Sequence, residues 1–161
     1  MAVYTEITDN ELGEFLRAFD LGEARGFKGI AEGVENSNYY LQTERGNFIL
    51  TLYEKRVRRE DLPFFLGLLE HLSKKGIACP LPVRGRDGAA WRELKGRPAA
   101  VMNFLPGLSP RKPDAAQCAE AGAALARLHL AGADYPLSRP NALSLDGWTT
   151  LVKLTIKRWI S

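Results

Sequence analysis

Residues 27–56 read FKGIAEGVENSNYYLQTERGNFILTLYEKR, and the fold is decided there. Three extended segments are separated by a six-residue turn, Gly33-Val34-Glu35-Asn36-Ser37-Asn38, and a shorter turn at Arg45-Gly46-Asn47. The third segment carries Phe48, Leu50 and Leu52 at alternate positions and also Ile49 and Tyr53, which predicts a strand covered on both faces. The first turn gathers Gly33, Asn36, Ser37 and Asn38, residues that tolerate positive φ and leave backbone N–H groups exposed. Strands are therefore expected over roughly 26–32, 37–43 and 47–54.

Upstream, Thr8-Asp9-Asn10-Glu11 forms a capping box. Leu12, Phe15, Leu16 and Phe19 follow at helical spacing before Gly22 ends the helix. Downstream, a second helix begins near Asp61, with Pro63 tolerated in its first turn. Its apolar face is Leu62, Phe65, Leu66, Leu69 and Leu72, and Gly76 closes it after Lys74 and Lys75. The prolines of Ile77–Pro82 keep that segment extended. Turns at Arg86-Asp87-Gly88 and Lys95-Gly96-Arg97 bracket a strand from Ala89 to Leu94, and Pro98–Leu105 is the last strand. The fold class is α+β: a five-stranded antiparallel sheet with one helix inserted after the third strand.

Composition changes at Leu105-Pro106-Gly107 and stays irregular to Pro113. Asp114 then caps an alanine-rich helix reaching about Ala131, whose small face (Cys118, Ala121, Gly122 and Leu125) suits packing on another helix. Residues 132–148 hold Pro136, Pro140 and Gly147 and read as loop. The chain is accordingly divided into 1–105 and 106–161.

With 161 residues and 45% hydrophobic composition, the chain can bury a core. A formal charge of +3, with Lys and Arg scattered, gives no reason to expect nucleic acid. Cys79 and Cys118 lie far apart with no metal-ligating neighbours, which predicts two buried, reduced thiols rather than a zinc site. No apolar run approaches a membrane span, and MAVYTEITDNE is acidic where a secretion signal would be basic. The expected compartment is the cytoplasm.

GVENSNY at 33–39, FILTLYEKR at 48–56 and DLPFFLGLLEHL at 61–72 closely resemble the homoserine kinases of the aminoglycoside-phosphotransferase/choline-kinase superfamily. PAAVMNFLPG at 98–107, ALARLHLAG at 124–132 and RPNALSLDGW at 139–148 complete the resemblance, which runs to about Trp148. It implies a protein-kinase-like N-terminal lobe at 1–105, followed by a linker and the first helix of an incomplete helical C-terminal lobe at 106–161. It also implies transfer of the γ-phosphate of ATP to the side-chain hydroxyl of L-homoserine, a step in threonine biosynthesis, with Mg2+ as the metal. The neighbouring alternatives are an aminoglycoside or choline phosphotransferase, or a lobe that holds nucleotide without chemistry.

The resemblance assigns the loop Gly33, Val34, Glu35, Asn36, Ser37 and Asn38 to the nucleotide phosphates; the bland reading is an ordinary hairpin, although six residues exceed what a tight hairpin needs. Met102, Asn103 and Phe104 match the hinge, whose main chain would meet the adenine edge, and the same residues also end the last strand. The cation usual on the third strand is replaced by Thr51; Lys55 and Arg56 just beyond could supply that charge or form a solvated cluster. Glu70 is a candidate for the carboxylate of the following helix, or a surface residue. His129 is read as a packing residue and His71 is given no role.

No catalytic residue and no metal ligand is assigned. Phosphoryl transfer of this kind uses an Asp in an H-x-D setting, a downstream Asn and a second Asp on magnesium. Neither His71-Leu72-Ser73 nor His129-Leu130-Ala131 opens such a motif, and no Asp-Phe pair follows the hinge. The magnesium ligands are expected in a C-terminal lobe beyond Ser161, and the chain alone is expected to be inactive. Thr149–Ser161 departs from the family's continuation; Leu151, Leu154 and Trp159 would space as a short amphipathic helix, or the segment marks a truncated or frame-shifted product.

Overall fold

The β-branched and aromatic residues of 37–52 pair as a hairpin, and the rest of the domain is laid on it. The computed structural model of the chain describes residues 4–54, 57–141, 144, 145, 147–149 and 151–153. In chain order these form α1 (Asp9–Leu16), β1 (Ala24–Gly29), β2 (Ser37–Thr43), β3 (Gly46–Leu52) and a 3-10 turn at Arg59–Asp61. There follow α2 (Leu62–Lys74), β4 (Arg92–Leu94), β5 (Arg97–Asn103) and α3 (Ala115–Gly132). The strands make one antiparallel sheet in the order β1-β2-β3-β5-β4, with α2 inserted after β3. This is the expected sheet.

Glu44 and Arg45 link β2 to β3, with Thr43 opposite Gly46, where φ is +129° and a side chain would be strained. That register sends Tyr39, Leu41, Leu50 and Leu52 to one face, where they meet Leu12, Phe15, Leu16 and Phe19 together with Leu94, Ala99 and Val101. The sequence pattern gave α1 an apolar stripe without saying what it covers; it covers this face. The opposite face carries Ala100 and Met102 against Leu62 and Leu66 of α2, flanked by Ile49, Tyr53 and Leu69. β3 is thus covered on both faces, as its continuous apolar run predicts.

Boundaries shift where side chains compete with the ladder. The Thr8–Glu11 box forms in both directions, but α1 stops at Leu16 and leaves Phe19 to reach the core from a turn. β4 begins at Arg92 rather than Ala89. Asp87 accepts from the Ala89 N–H at 3.1 Å, and the Arg84 guanidinium donates to the Gly88 carbonyl at 2.7 Å, so residues 84–89 close as a turn.

α3 is capped reciprocally: the Gln117 N–H donates to Asp114 at 2.8 Å, and the Asp114 N–H to the Gln117 side chain at 3.0 Å. None of its residues is buried, and Leu125 and Leu130 are 54% and 77% exposed. His129 is exposed, which corrects its reading as a packing residue. Cys118 is also exposed and Cys79 only half-buried, so the expectation of two buried thiols fails; the face of α3 that would bury Cys118 has no cover among the described residues. Among the described residues, it is the end of α3 that is docked. His71 Nε2 lies 3.1 Å from the Ala131 carbonyl and 2.9 Å from Asp134, and Lys75 pairs with the same carboxylate. Tyr135 Oη donates to the Phe64 carbonyl at 3.0 Å, and Arg139 pairs with Asp61 at 3.1 Å. His71, left without a role by the sequence, is therefore an anchor.

Candidate functional site

The β1–β2 loop and the end of β5 flank the part of the α2-bearing face that α2 leaves open. Across the strands, Tyr40, Ile49 and Met102 form one row and Asn38, Thr51 and Ala100 the next. Tyr40, Asn38 and Thr51 are half-buried. Thr51 Oγ1 donates to Asn38 Oδ1 at 2.8 Å, so the position without a lysine is a neutral, mutually satisfied pair. Lys55 and Arg56 lie outside the described residues.

Within the loop, Gly33 has φ +112°, a conformation that favours glycine. Val34 is 78% exposed, and its carbonyl accepts from Tyr4 Oη at 3.1 Å. Glu35 is exposed, and Asn36 Oδ1 accepts from the Glu54 N–H at 3.4 Å. The N–H groups of Gly33 and Val34 donate to nothing among the described residues, which leaves them for an anion. Ser37 is different. It is wholly buried; its oxygen accepts from the N–H groups of Tyr4 (2.8 Å) and Thr5 (3.0 Å), and its proton goes to Glu54 Oε1 at 2.7 Å. A hydroxyl has one donor and two acceptor positions, and all three are used.

At the hinge, Met102 is buried under α2. The Asn103 N–H donates to the Leu81 carbonyl at 3.0 Å and the Phe104 N–H to the Asn47 carbonyl at 3.3 Å. Asn103 Oδ1 accepts from the Leu81 N–H at 2.5 Å. The Asn103 carbonyl and the Leu105 N–H have no partner among the described residues. Phe104 meets Tyr40 edge-on, ring centroids 5.5 Å apart, and closes the open face between hinge and β2.

Glu70 Oε1 lies 2.5 Å from an Arg84 nitrogen, so the α2 carboxylate is paired with the segment after α2 and not with β3. A cavity of about 450 Å³ beside that pair is lined by Leu66, Gly67 and Trp91 and includes no loop or hinge residue. Among the described residues there is no group of three His, Cys, Asp or Glu that could hold a metal ion.

Two residues that sequence reasoning passed over matter to this site. Glu54 is 8% exposed, and its second oxygen lies 3.2 Å from Arg97 Nε. The alternation Leu50, Leu52, Glu54 carried the signal, because it sends a carboxylate to the core side. Tyr4 offered no pattern at all. Beside them, burial pushes the Tyr39 phenol up, and its hydroxyl donates to the Thr5 carbonyl at 2.6 Å.

Comparison with known proteins agrees with this architecture. The homoserine kinase of Bradyrhizobium sp. strain BTAi1 is 60% identical over 151 residues, covering 94% of this chain and 46% of the relative. That of Bradyrhizobium diazoefficiens is 60% identical over 158 residues (98% and 48%), and that of Rhodopseudomonas palustris strain BisB18 61% identical over 151 residues (94% and 46%). The chain spans about half the length of these curated relatives. Among solved structures, a spectinomycin phosphotransferase in complex with ADP and spectinomycin superposes with a TM-score of 0.62 at 16% identity, over 84% of this chain and 40% of that one. That likeness is one of fold. The phosphotransferase enzyme family matches residues 26–161, past Trp148 where the quoted motifs end, so the expectation that Thr149–Ser161 departs from the family is corrected. Since the match takes in every strand after the first two residues of β1, and α2 and α3 with them, the chain belongs to the phosphotransferase enzyme family.

Proposed function

We infer that this chain is the nucleotide-holding part of a homoserine kinase, which moves the γ-phosphoryl group of ATP to the side-chain hydroxyl of L-homoserine in threonine biosynthesis, in the cytoplasm. The observation that carries the reading is identity near 60% over 94–98% of the chain to homoserine kinases of three bacteria. On this reading residues 1–105 are the lobe that covers the nucleotide, and 106–161 are the linker and start of a helical lobe. The free Gly33 and Val34 N–H groups meet phosphate oxygens. Thr51 stands where a cation would pair with them, and Lys55 is the nearest candidate to supply that charge.

The adenine edge presents an amino donor beside a ring-nitrogen acceptor. The unpaired Asn103 carbonyl and Leu105 N–H, two residues apart on an extended chain, offer the complementary pair. Met102 and Phe104 contribute apolar side chains and not main-chain contacts. Leu105→Pro removes one N–H, and ATP affinity is expected to fall about tenfold, the upper end of what one such bond contributes. Unchanged affinity would remove Leu105 from the site. The phosphoryl-transfer part is tested in the DNA: translation beyond the Ser161 codon should show an H-x-D segment and a later Asp in one of three frames. Their absence from all three would leave a nucleotide-binding chain without the chemistry.

A further inference from the structure

The loop that would cover the nucleotide phosphates is tied down from two directions by residues outside it. From the segment ahead of α1, Tyr4 Oη donates to the Val34 carbonyl at 3.1 Å, while the N–H groups of Tyr4 and Thr5 converge on Ser37 Oγ. From the end of β3, Glu54 takes the Ser37 proton at 2.7 Å and gives its own N–H to Asn36 Oδ1 at 3.4 Å. The Glu54 carboxylate is held in turn by Arg97, the first residue of β5. A buried carboxylate costs stability unless it is paired and hydrogen-bonded, and here both oxygens are. Such an arrangement fixes geometry more than it adds stability. The turn between Gly33 and Asn36 has no ladder of its own, yet it is pinned at Val34, Asn36 and Ser37.

We propose that Tyr4, Ser37 and Glu54 form a brace that holds the 33–36 turn in one conformation before nucleotide arrives, and that Glu54 is its positioning residue. The consequence for binding rests on the nucleotide reading above; the ordering of the turn does not. Pre-ordering leaves less conformational entropy to be lost when phosphate binds, so the brace raises affinity without touching the ligand.

The test uses the 161-residue chain, 15N-labelled, as wild type, Tyr4→Phe, Glu54→Ala and Glu54→Gln. Amide exchange and relaxation of residues 31–36 are measured without ligand, and ATP is then titrated. Tyr4→Phe removes one hydroxyl from a half-exposed ring and leaves the core intact. Backbone order at 33–36, read from 15N relaxation, is expected to fall, with 47–52 unchanged, and ATP affinity to drop about fivefold. Glu54→Ala should exceed this, and Glu54→Gln, which still accepts from Ser37, should restore part of the loop order. Loop amides unchanged in both Tyr4→Phe and a folded Glu54→Ala would overturn the brace. Should Glu54→Ala fail to fold, Tyr4→Phe decides alone. Loop amides that respond in a wild-type chain showing no ATP shifts would uphold the brace and overturn the nucleotide reading.

Discussion

Gly67 shows how much of this molecule is settled by single atoms. A Cβ built there would lie 2.5 Å from Tyr135 Oη, so the small residue is what lets the segment after α3 settle on α2. Gly67→Ala should have two opposed effects. Alanine in a helix interior gains about 1 kcal/mol over glycine, while expelling the phenol forfeits its bond to the Phe64 carbonyl, worth about 1 kcal/mol. The urea midpoint should hardly move, yet amide protection over 131–139 should fall; a large drop in midpoint would mean that Tyr135 supports the sheet itself. Nothing in the sequence announces Gly67 or Tyr135, because their contact joins residues far apart in the chain. Glu54 was legible from strand alternation. Ser37 was read with the loop, yet it is the buried first residue of β2; its commitment to Tyr4, Thr5 and Glu54 was not legible, since a hydroxyl's partners depend on which segments the fold brings near.

Elements were more legible than contacts. The strands, α2, the Thr8–Glu11 capping box and the Asp114 cap follow from period, turn chemistry and caps, which are local. The late start of β4 and the early end of α1 were not legible, because they depend on side chains of the 84–89 turn and on where Phe19 finds the core. The docking of the 131–139 segment is also tertiary, and it carries a pH dependence. The hydrogen bond from Lys75, then that from His71, holds the Asp134 carboxyl below its ordinary value of 3.8. A pKa lowered by folding means stabilisation that is present above the ordinary value and lost as pH falls through the lowered one. As pH falls from the ordinary value of 3.8 through the lowered one, exchange over 131–139 should therefore rise while 47–52 stays protected. In Asp134→Asn that acid step should be missing. A step of the same size in the variant would assign the acid response elsewhere.

For the whole molecule, the sheet and its two covering helices form a finished core, and α3 does not share in it. Leaving one or two hundred Å² of the Leu125–Leu128 stripe in water forfeits roughly 2.5–5 kcal/mol at ~25 cal/mol per Å². Domain stability is only ~5–15 kcal/mol, so amides at 116–130 should exchange faster than those at 47–53. Equal protection in a monomeric sample would show that the stripe is covered within these 161 residues. The sequence reading anticipated this exposure, because a small, alanine-rich face suits packing on a helical partner. On the nucleotide reading, the open face beside the loop and hinge binds ATP. ATP titrated into the 15N-labelled chain tests it most directly. Weak, saturable binding at about 1 mM is expected, with amide shifts concentrated at Gly33, Val34, Thr51, Asn103 and Leu105. Absence of shifts at those residues at several times that concentration, or shifts confined to the cavity between α2 and the 84–91 turn, would contradict it.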